Sequence, residues 1–557
     1  MSKRWGWRDW VVAVGLFCAT AAVVLWQNSR LTMLWDASYL LDSSWRIALG
    51  QVPYRDFPFV HPPLTFLVQA TIMRLTGRVF FHHVLYAAAL GGLGTVVAWR
   101  IVLEQFRDRV AAAWGTSVLL ALPLVVLGVY GIFPTPFYDC DCGFAVLVAV
   151  WLLQRIERGP GWSIAAGVAV VVPLFVKQNI GLPFLVVAVV GVGLVMLVRR
   201  SAGWVLVGAA GALAVAAAVM HWIVGIGNYV QWTVRFPAQR RIPSMADMVG
   251  IYTDETLRWT LPCVVIGLAL LSLRKVWARA VGLVLVAAPM VWPMVVLVRS
   301  DESDDRASAL LAIWPLVLIL AGLVALWELR KGLTIERLIP IFVLAAVNGC
   351  FLSKQVWGST YAIWPLLIVL VAGVMVVVGP THRVEAAMNG ARMHLAFAGV
   401  VAVALLVCGG FYLASEERLS YARVDEGALR YSMRPEIRGM AVRGEYLPNF
   451  EELLGFAEAN IPRSDGMILM NGEDPFYFAT GRTPQFPVLL FDPTTQPYSP
   501  AELRALEVAK GIRWVVVKRE LQIREDPTPD KAATIAALSE GFAVERELRG
   551  YQIWRRR

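Results

Sequence analysis

Between residues 28 and 81 one stretch gathers Asp36, Asp42, Arg46, Arg55, Asp56 and His61, set as Trp35-Asp36-Ala37, Pro53-Tyr54-Arg55-Asp56 and His61-Pro62-Pro63-Leu64. Phe57, Phe59 and Phe66 alternate with these charges, so the stretch is expected to lie folded at an apolar surface. Two shorter clusters have the same mixed character. Tyr138-Asp139-Cys140-Asp141 precedes an apolar run, and Lys177-Gln178-Asn179 separates two such runs, Gly161–Val176 and Ile180–Val198. A carboxylate can deprotonate or orient a reacting hydroxyl. Lysine, arginine or histidine can stabilise a developing anion. Asp139-x-Asp141 could also hold a divalent cation; no other cofactor is implied. Each cluster also has a plainer account. Asp36 could be a solvated charge or an interfacial cap. One of Asp139 and Asp141 could cap the following helix, where an anion suits the dipole. Lys177 could be a turn residue in water.

The elements that carry these residues are set by composition. Of 557 residues 58% are hydrophobic and only 17% charged, with a mean hydropathy of +0.60. Soluble domains carry roughly a quarter charged residues. The apolar residues form blocks such as Val284–Val298 and Leu310–Trp327, close to the ~20 residues that cross ~30 Å of hydrocarbon as a helix. In lipid the backbone must satisfy itself, so the blocks are helices. The fold class is an α-helical polytopic membrane protein surrounded by membrane lipids. The net charge of +10 does not indicate nucleic acid, because the basic residues punctuate apolar spans instead of forming one face. The six cysteines sit mostly in spans, which suggests neither a disulfide framework nor a zinc site.

Thirteen spans are expected, starting near Trp10, His83, Val110, Gly143, Trp162, Gly181, Trp204, Trp259, Val281, Ala307, Ile335, Tyr361 and His394. The short loops Leu273–Arg279, Glu328–Arg337 and His382–Arg392 are basic, which places them and the N-terminus in the cytoplasm. An odd number of crossings then puts the C-terminal segment outside a plasma membrane of the bacterial inner-membrane kind. The division expected is a membrane module over residues 1–414 and an external, periplasmic α/β domain over 415–557. The long connections, Asn28–Phe81 with about 54 residues and Gly225–Arg258 with about 34, fall on the same external side. Loops that long are uncommon unless functional. In the C-terminal part Asn449 with Glu452, and Ser499 with Glu502, read as capping boxes. Met467–Met470, Val488–Phe491 and Trp514–Val517 read as strands. This part is expected to be structural or an acceptor-handling lid. Ala312-Ile-Trp-Pro-Leu316 recurs as Ala362-Ile-Trp-Pro-Leu366, read as two helices meeting the same interfacial demand.

An N-inside first span, an acidic residue opening a long external loop, a basic residue before Pro-Pro in it, and an acidic residue before the fourth span together resemble the GT-C glycosyltransferases. The likeness is nearest the protein O-mannosyltransferase and aminoarabinose-transferase group (glycosyltransferase family 39-like). It covers roughly Met1–Val198 by motif. The resemblance implies that Asp36 matches the first-loop catalytic carboxylate and Asp139 the second-loop one, with Asp141 the alternative. His61 stands where relatives have a lysine that contacts the carrier phosphate. Two departures are Ala37, where relatives often have a second acidic residue, and His61 itself, since an unperturbed histidine has a pKa of ~6.5. The implied reaction moves a sugar from a polyprenyl-phosphate donor to an acceptor glycan, lipid or protein. Arg55, His61 and Lys177 are the candidate phosphate contacts, together with Gln178, Asn179, Asp141 and Lys354. A transporter of a lipid-linked or anionic substrate is the alternative, but no inverted repeat is visible and few charges lie deep within spans.

Overall fold

The computed structural model describes residues 5–32, 34–110, 112–240, 244, 246, 249–273, 275–299, 313–351, 362–378, 384–414, 427–470, 472, 474–492, 495–520 and 529–557. It is mostly helical, with a small C-terminal sheet domain. Six described helices are long and apolar enough to cross a membrane: Trp7–Asn28, Phe80–Phe106, Gln178–Val198, Arg200–Ile223, Val276–Leu297 and Ala391–Ala414. Shorter apolar helices, among them Leu257–Leu271, Trp314–Leu329 and Trp364–Val377, lie beside them.

From the N-terminus the order is α1 (Trp7–Asn28), α2 (Leu34–Ala48), α3 (Leu64–Thr76), α4 (Phe80–Phe106), α5 (Ala113–Ala121), α6 (Leu124–Leu127), α7 (Tyr138–Leu153), α8 (Pro160–Val171), α9 (Gln178–Val198) and α10 (Gly203–Ile223). The span expected from Val110 is broken into α5 and α6 around Pro123, which cannot donate the helical hydrogen bond. The expected starts at Ala307 and Tyr361 lie outside the described residues. The expected loop His382–Arg392 is not one throughout, because helix Val384–Ala414 runs through most of it. The recurring Trp-Pro motif also differs from the expectation of interfacial residues. Trp314 and Trp364 are buried against each other with ring centroids 5.5 Å apart, and Pro315 sits in a first turn.

The long first connection is structured, since α2 and α3 lie within it. At one end of the bundle Arg109, after α4, donates to Glu336 at 3.2 Å, and Arg199, after α9, pairs with Glu157, after α7. Asp9 of α1 accepts from Trp114 at that end. The connection holding α2 and α3, the start of α7 and the start of α9 meet at the opposite end, and the sheet domain sits there too.

In that domain β1 (Leu429–Tyr431) pairs antiparallel with β2 (Ala441–Arg443). The larger sheet has the order β3-β4-β6-β5 from β3 (Gly466–Met470), β4 (Ile512–Lys518), β5 (Phe542–Glu547) and β6 (Tyr551–Arg556). β3 and β4 are parallel, and the other pairs are antiparallel. Alternation along a strand sends neighbours to opposite faces. Met467, Leu469, Trp514 and Val516 join a core shared with Leu40, Phe59 and Phe66 of the first connection. Ile468, Met470 and Val515 face a second core with Phe486, Leu503 and Leu538. The strands expected at Met467–Met470 and Trp514–Val517 are present, whereas Val488–Phe491 is an irregular segment. The Ser499–Glu502 capping box forms, with Ser499 N–H donating to Glu502 at 2.7 Å. Asn449 does not cap, because its helix already starts at Tyr446.

Candidate functional site

His61 is fixed by aromatic neighbours on three elements. Its ring stacks on Tyr138 with centroids 4.3 Å apart and an interplanar angle of 26°, and Tyr39 of α2 approaches edge-on at 5.6 Å. Phe66 stacks more distantly at 6.1 Å. The backbone is held as well: the Tyr54 hydroxyl donates to the His61 carbonyl at 2.6 Å. Tyr54 itself has φ +68, a left-handed conformation costly for a bulky residue. Its N–H bonds to the Phe57 carbonyl at 3.1 Å, which closes the turn that imposes this conformation.

Lys177 also meets Tyr138, its ammonium 5.0 Å from the ring centroid. Lys177 also forms an ion pair with Asp139. The Asp139 side chain is 1% exposed and that of Lys177 12%. His61, Tyr138, Lys177 and Asp139 are thus one continuous array drawn from three connections. Local structure explains each placement. Phe137 is extended (φ −153, ψ 136) and starts α7, so Asp139 and Asp141 fall in its first turn. Neither caps the helix, contrary to the simpler expectation, because the N-cap position is Phe137. Lys177, also extended (φ −150, ψ 110), starts α9 after the 3₁₀ turn Val172–Phe175. That turn packs against Gly181, where a Cβ would fall 2.2 Å from the Leu174 nitrogen. Glycine is required for this close approach.

Asp141 has a different task from Asp139. Its oxygens accept from Thr65 at 2.6 Å, Tyr86 at 2.9 Å and Tyr130 at 2.5 Å. These bonds tie α7 to α3 and α4. The two carboxylates thus bond to separate partners, and among the described residues no group of three His, Cys, Asp or Glu side chains is placed to hold a metal.

Asp36 lies in the first turn of α2 and is partly buried. Residues three apart share a helix face, so Asp36 lies on the side of α2 from which Tyr39 reaches His61. Gln178 and Asn179 are engaged in tethering, as their amides donate to the carbonyls of Thr233 at 3.1 Å and Gly349 at 3.2 Å. Arg55 is exposed and bonded at 2.9 Å to Asp56, whose carboxyl this bond holds below its usual range. Lys354 lies outside the described residues. The residues between α10 and Leu257 contribute Tyr229, 5.3 Å from Tyr54 and 6.5 Å from Phe175 between ring centroids.

Sequence reasoning missed Tyr138 and Tyr39 as the parts that orient His61. An aromatic beside Asp139 and another one turn after Asp36 were the available signals. It also missed the hydroxyl cradle of Thr65, Tyr86 and Tyr130, whose members are up to 65 positions apart and carry no mutual pattern.

No family model matches the chain, and no curated protein matches it. Solved structures do resemble it. ArnT from Cupriavidus metallidurans, crystallised bound to undecaprenyl phosphate, aligns at 15% identity over 99% of this chain and 98% of its own, with a TM-score of 0.43. The archaeal oligosaccharyltransferase AglB from Archaeoglobus fulgidus, in complex with an inhibitory peptide and a dolichol-phosphate, aligns at 10% identity over 92% of this chain and 70% of its own, at 0.47. The mycobacterial arabinofuranosyltransferase AftD aligns at 15% identity over 97% of this chain and 39% of its own, at 0.42. None of these scores reaches 0.5, and the function of this chain rests on its own residues.

Proposed function

We propose that this protein is a membrane glycosyltransferase that moves a sugar from a polyprenyl-phosphate donor to an acceptor at the external membrane face. The observation that carries this reading is the convergence of His61, Tyr138, Lys177 and Asp139 at one end of the bundle. An ammonium and an imidazole both contact one tyrosine ring, beside the helix that presents Asp36. The array suits a ligand with an anionic head and an apolar tail. The head meets Lys177 and His61, and the tail lies among the helices.

The reaction is a single displacement. The acceptor oxygen forms a bond to the anomeric carbon as the bond from that carbon to the phosphate oxygen breaks, and the configuration inverts. The acceptor's proton passes to Asp36, acting as general base. The electron pair leaves with the polyprenyl phosphate, whose second pKa of ~6 makes it a leaving group that needs no general acid. Lys177 and His61 stabilise the charge that develops there. Asp139 holds Lys177 in place before the donor arrives and balances its charge in a site of low dielectric.

The test is transfer from a panel of polyprenyl-phosphate sugars by purified protein, with Asp36→Asn as the key variant. Turnover should fall by ~10²-fold or more, the scale of a lost general base, while melting temperature and donor affinity stay near wild type. Wild-type turnover in Asp36→Asn removes the residue on which the reading depends.

A further inference from the structure

α2 presents two adjacent stripes. Asp36, Tyr39 and Ser43, spaced by three and four residues, lie on the side that meets His61. Ser38, Asp42, Trp45 and Arg46 form the neighbouring stripe, and every one of them bonds to the backbone of the C-terminal domain. Ser38 donates to the Gly472 carbonyl at 3.2 Å and Trp45 to the Arg482 carbonyl at 3.0 Å. Asp42 accepts from the N–H of Phe478 at 2.7 Å and of Tyr477 at 3.3 Å, one on each carboxylate oxygen. These are first-turn groups of helix Phe476–Thr480, which have no partner within their own helix. Arg46 donates to the Phe486 carbonyl and lies 5.0 Å over the Phe57 ring. Asp42 is 4% exposed and Arg46 1%.

Burying two strongly polar side chains such as Asp42 and Arg46 is a costly way to make a simple packing contact. It suits a contact that must have one geometry. The backbone atoms that Asp42 and Arg46 bind are fixed by their own turn and irregular segment. The bonds therefore set both the rotation of α2 about its axis and its position along that axis. Along α2, Asp36 lies about 1.7 turns from Asp42 and about 2.8 turns from Arg46.

We infer that Asp42 and Arg46 are positioning residues through which the C-terminal domain holds the Asp36 carboxylate in register with the array at His61 and Lys177. The inference rests on the function proposed above. It gives the domain a task in the transfer step that differs from that of a lid. Asp42 and Arg46 do not touch the reacting atoms; they act through α2. A displacement of about 1 Å in a reacting group can cost as much as 10²-fold in rate. Donor binding, which depends on Lys177 and His61, should be spared.

The test is a cycle in the full-length protein between Asp42→Ala and Asp36→Asn, reading kcat and the Kd for the donor. Asp42→Ala alone should lower kcat by about 10-fold and leave the donor Kd within two-fold. In the Asp36→Asn background the same change should lower kcat by less than two-fold, because the group it positions is already gone. An equal loss in both backgrounds, or a kcat unchanged by Asp42→Ala, overturns the inference while leaving the proposed function intact. Wild-type turnover in Asp36→Asn overturns the proposed function itself. Should Asp42→Ala fail to fold, Ser38→Ala and Trp45→Phe each remove one bond of the same stripe. Both should lower kcat by two- to five-fold at unchanged donor Kd, and two variants with wild-type kcat overturn the inference.

Discussion

Lys177 and Asp139 allow the ion pair's part in stability to be separated from its part in binding. With the carboxylate 1% and the ammonium side chain 12% exposed, neither ion is well hydrated. Removing one partner of a buried pair costs about 3–5 kcal/mol, because the other charge is left uncompensated. For Asp139→Leu the orphan is Lys177, which keeps some water and its seat over Tyr138, a contact worth about 0.5–2 kcal/mol. The expected loss is therefore about 2–3 kcal/mol. For Lys177→Met the orphan is the almost fully buried Asp139, and about 3 kcal/mol is expected. The double variant replaces the pair by apolar groups of similar size, which is often close to neutral, so it should lose only about 1–2 kcal/mol. Reversible denaturation in mixed micelles would give a coupling energy of about 3–5 kcal/mol. Donor affinity should follow a different rule. Both variants that lack Lys177 lose a charge-assisted contact of about 1.5–3 kcal/mol, and so bind the polyprenyl-phosphate donor roughly 10- to 150-fold more weakly at 1.4 kcal/mol per decade. A double variant that regains stability without regaining affinity is the signature. Additive single losses would refute the buried pair, and wild-type donor affinity in Lys177→Met would refute the phosphate contact.

Asp141→Asn should destabilise the protein by about 1–3 kcal/mol, since an amide cannot accept all three hydroxyl bonds; donor Kd should stay within about two-fold, and a large loss of affinity would place Asp141 in the site after all. Burial pushes the Asp42 carboxyl up from 3.8 to about 8, against the opposing pull of its two N–H bonds and of Arg46, and with Asp474 adding to the rise. The folded value lies above the unfolded one, so this contribution to stability is full below the unfolded value and is lost as pH rises through about 8. Denaturation profiles should show that slope between about pH 4 and 8 in wild type and lack it in Asp42→Asn, and equal slopes would contradict it. Reporters fused after Arg200 and Arg330 should read cytoplasmic, with those after Asp304 and at the C-terminus external; an external Arg330 with a cytoplasmic C-terminus would reverse the sidedness.

How much was legible depends on how local each cause is. Helices over the apolar blocks follow from hydropathy, because lipid leaves the backbone no other partner. The Ser499–Glu502 box and strands β3 and β4 follow from short patterns that act within a few residues. The hinge at Lys177 is legible for the same reason, as polar residues interrupt two apolar runs. Asp36, Asp139, His61 and Lys177 stand out as charged or polar groups in an apolar chain, and that is a matter of composition and order. Their partners are another matter. Nothing near His61 in sequence specifies Tyr138, and nothing near Asp42 specifies the N–H groups of Tyr477 and Phe478, 435 and 436 positions away. Val488–Phe491 has the apolar run of a strand but is irregular and buries Val488 and Phe491 in the core that Ile468 and Val515 face, so its apolar pattern reflects burial and not strand pairing. Residue types and spacing set which groups could do chemistry and which segments enter the membrane. Only the packing of distant segments decided which carboxylate pairs with Lys177, which one is cradled by hydroxyls, and which one anchors the C-terminal domain, because burial and partners, not residue type, assign a charge its role.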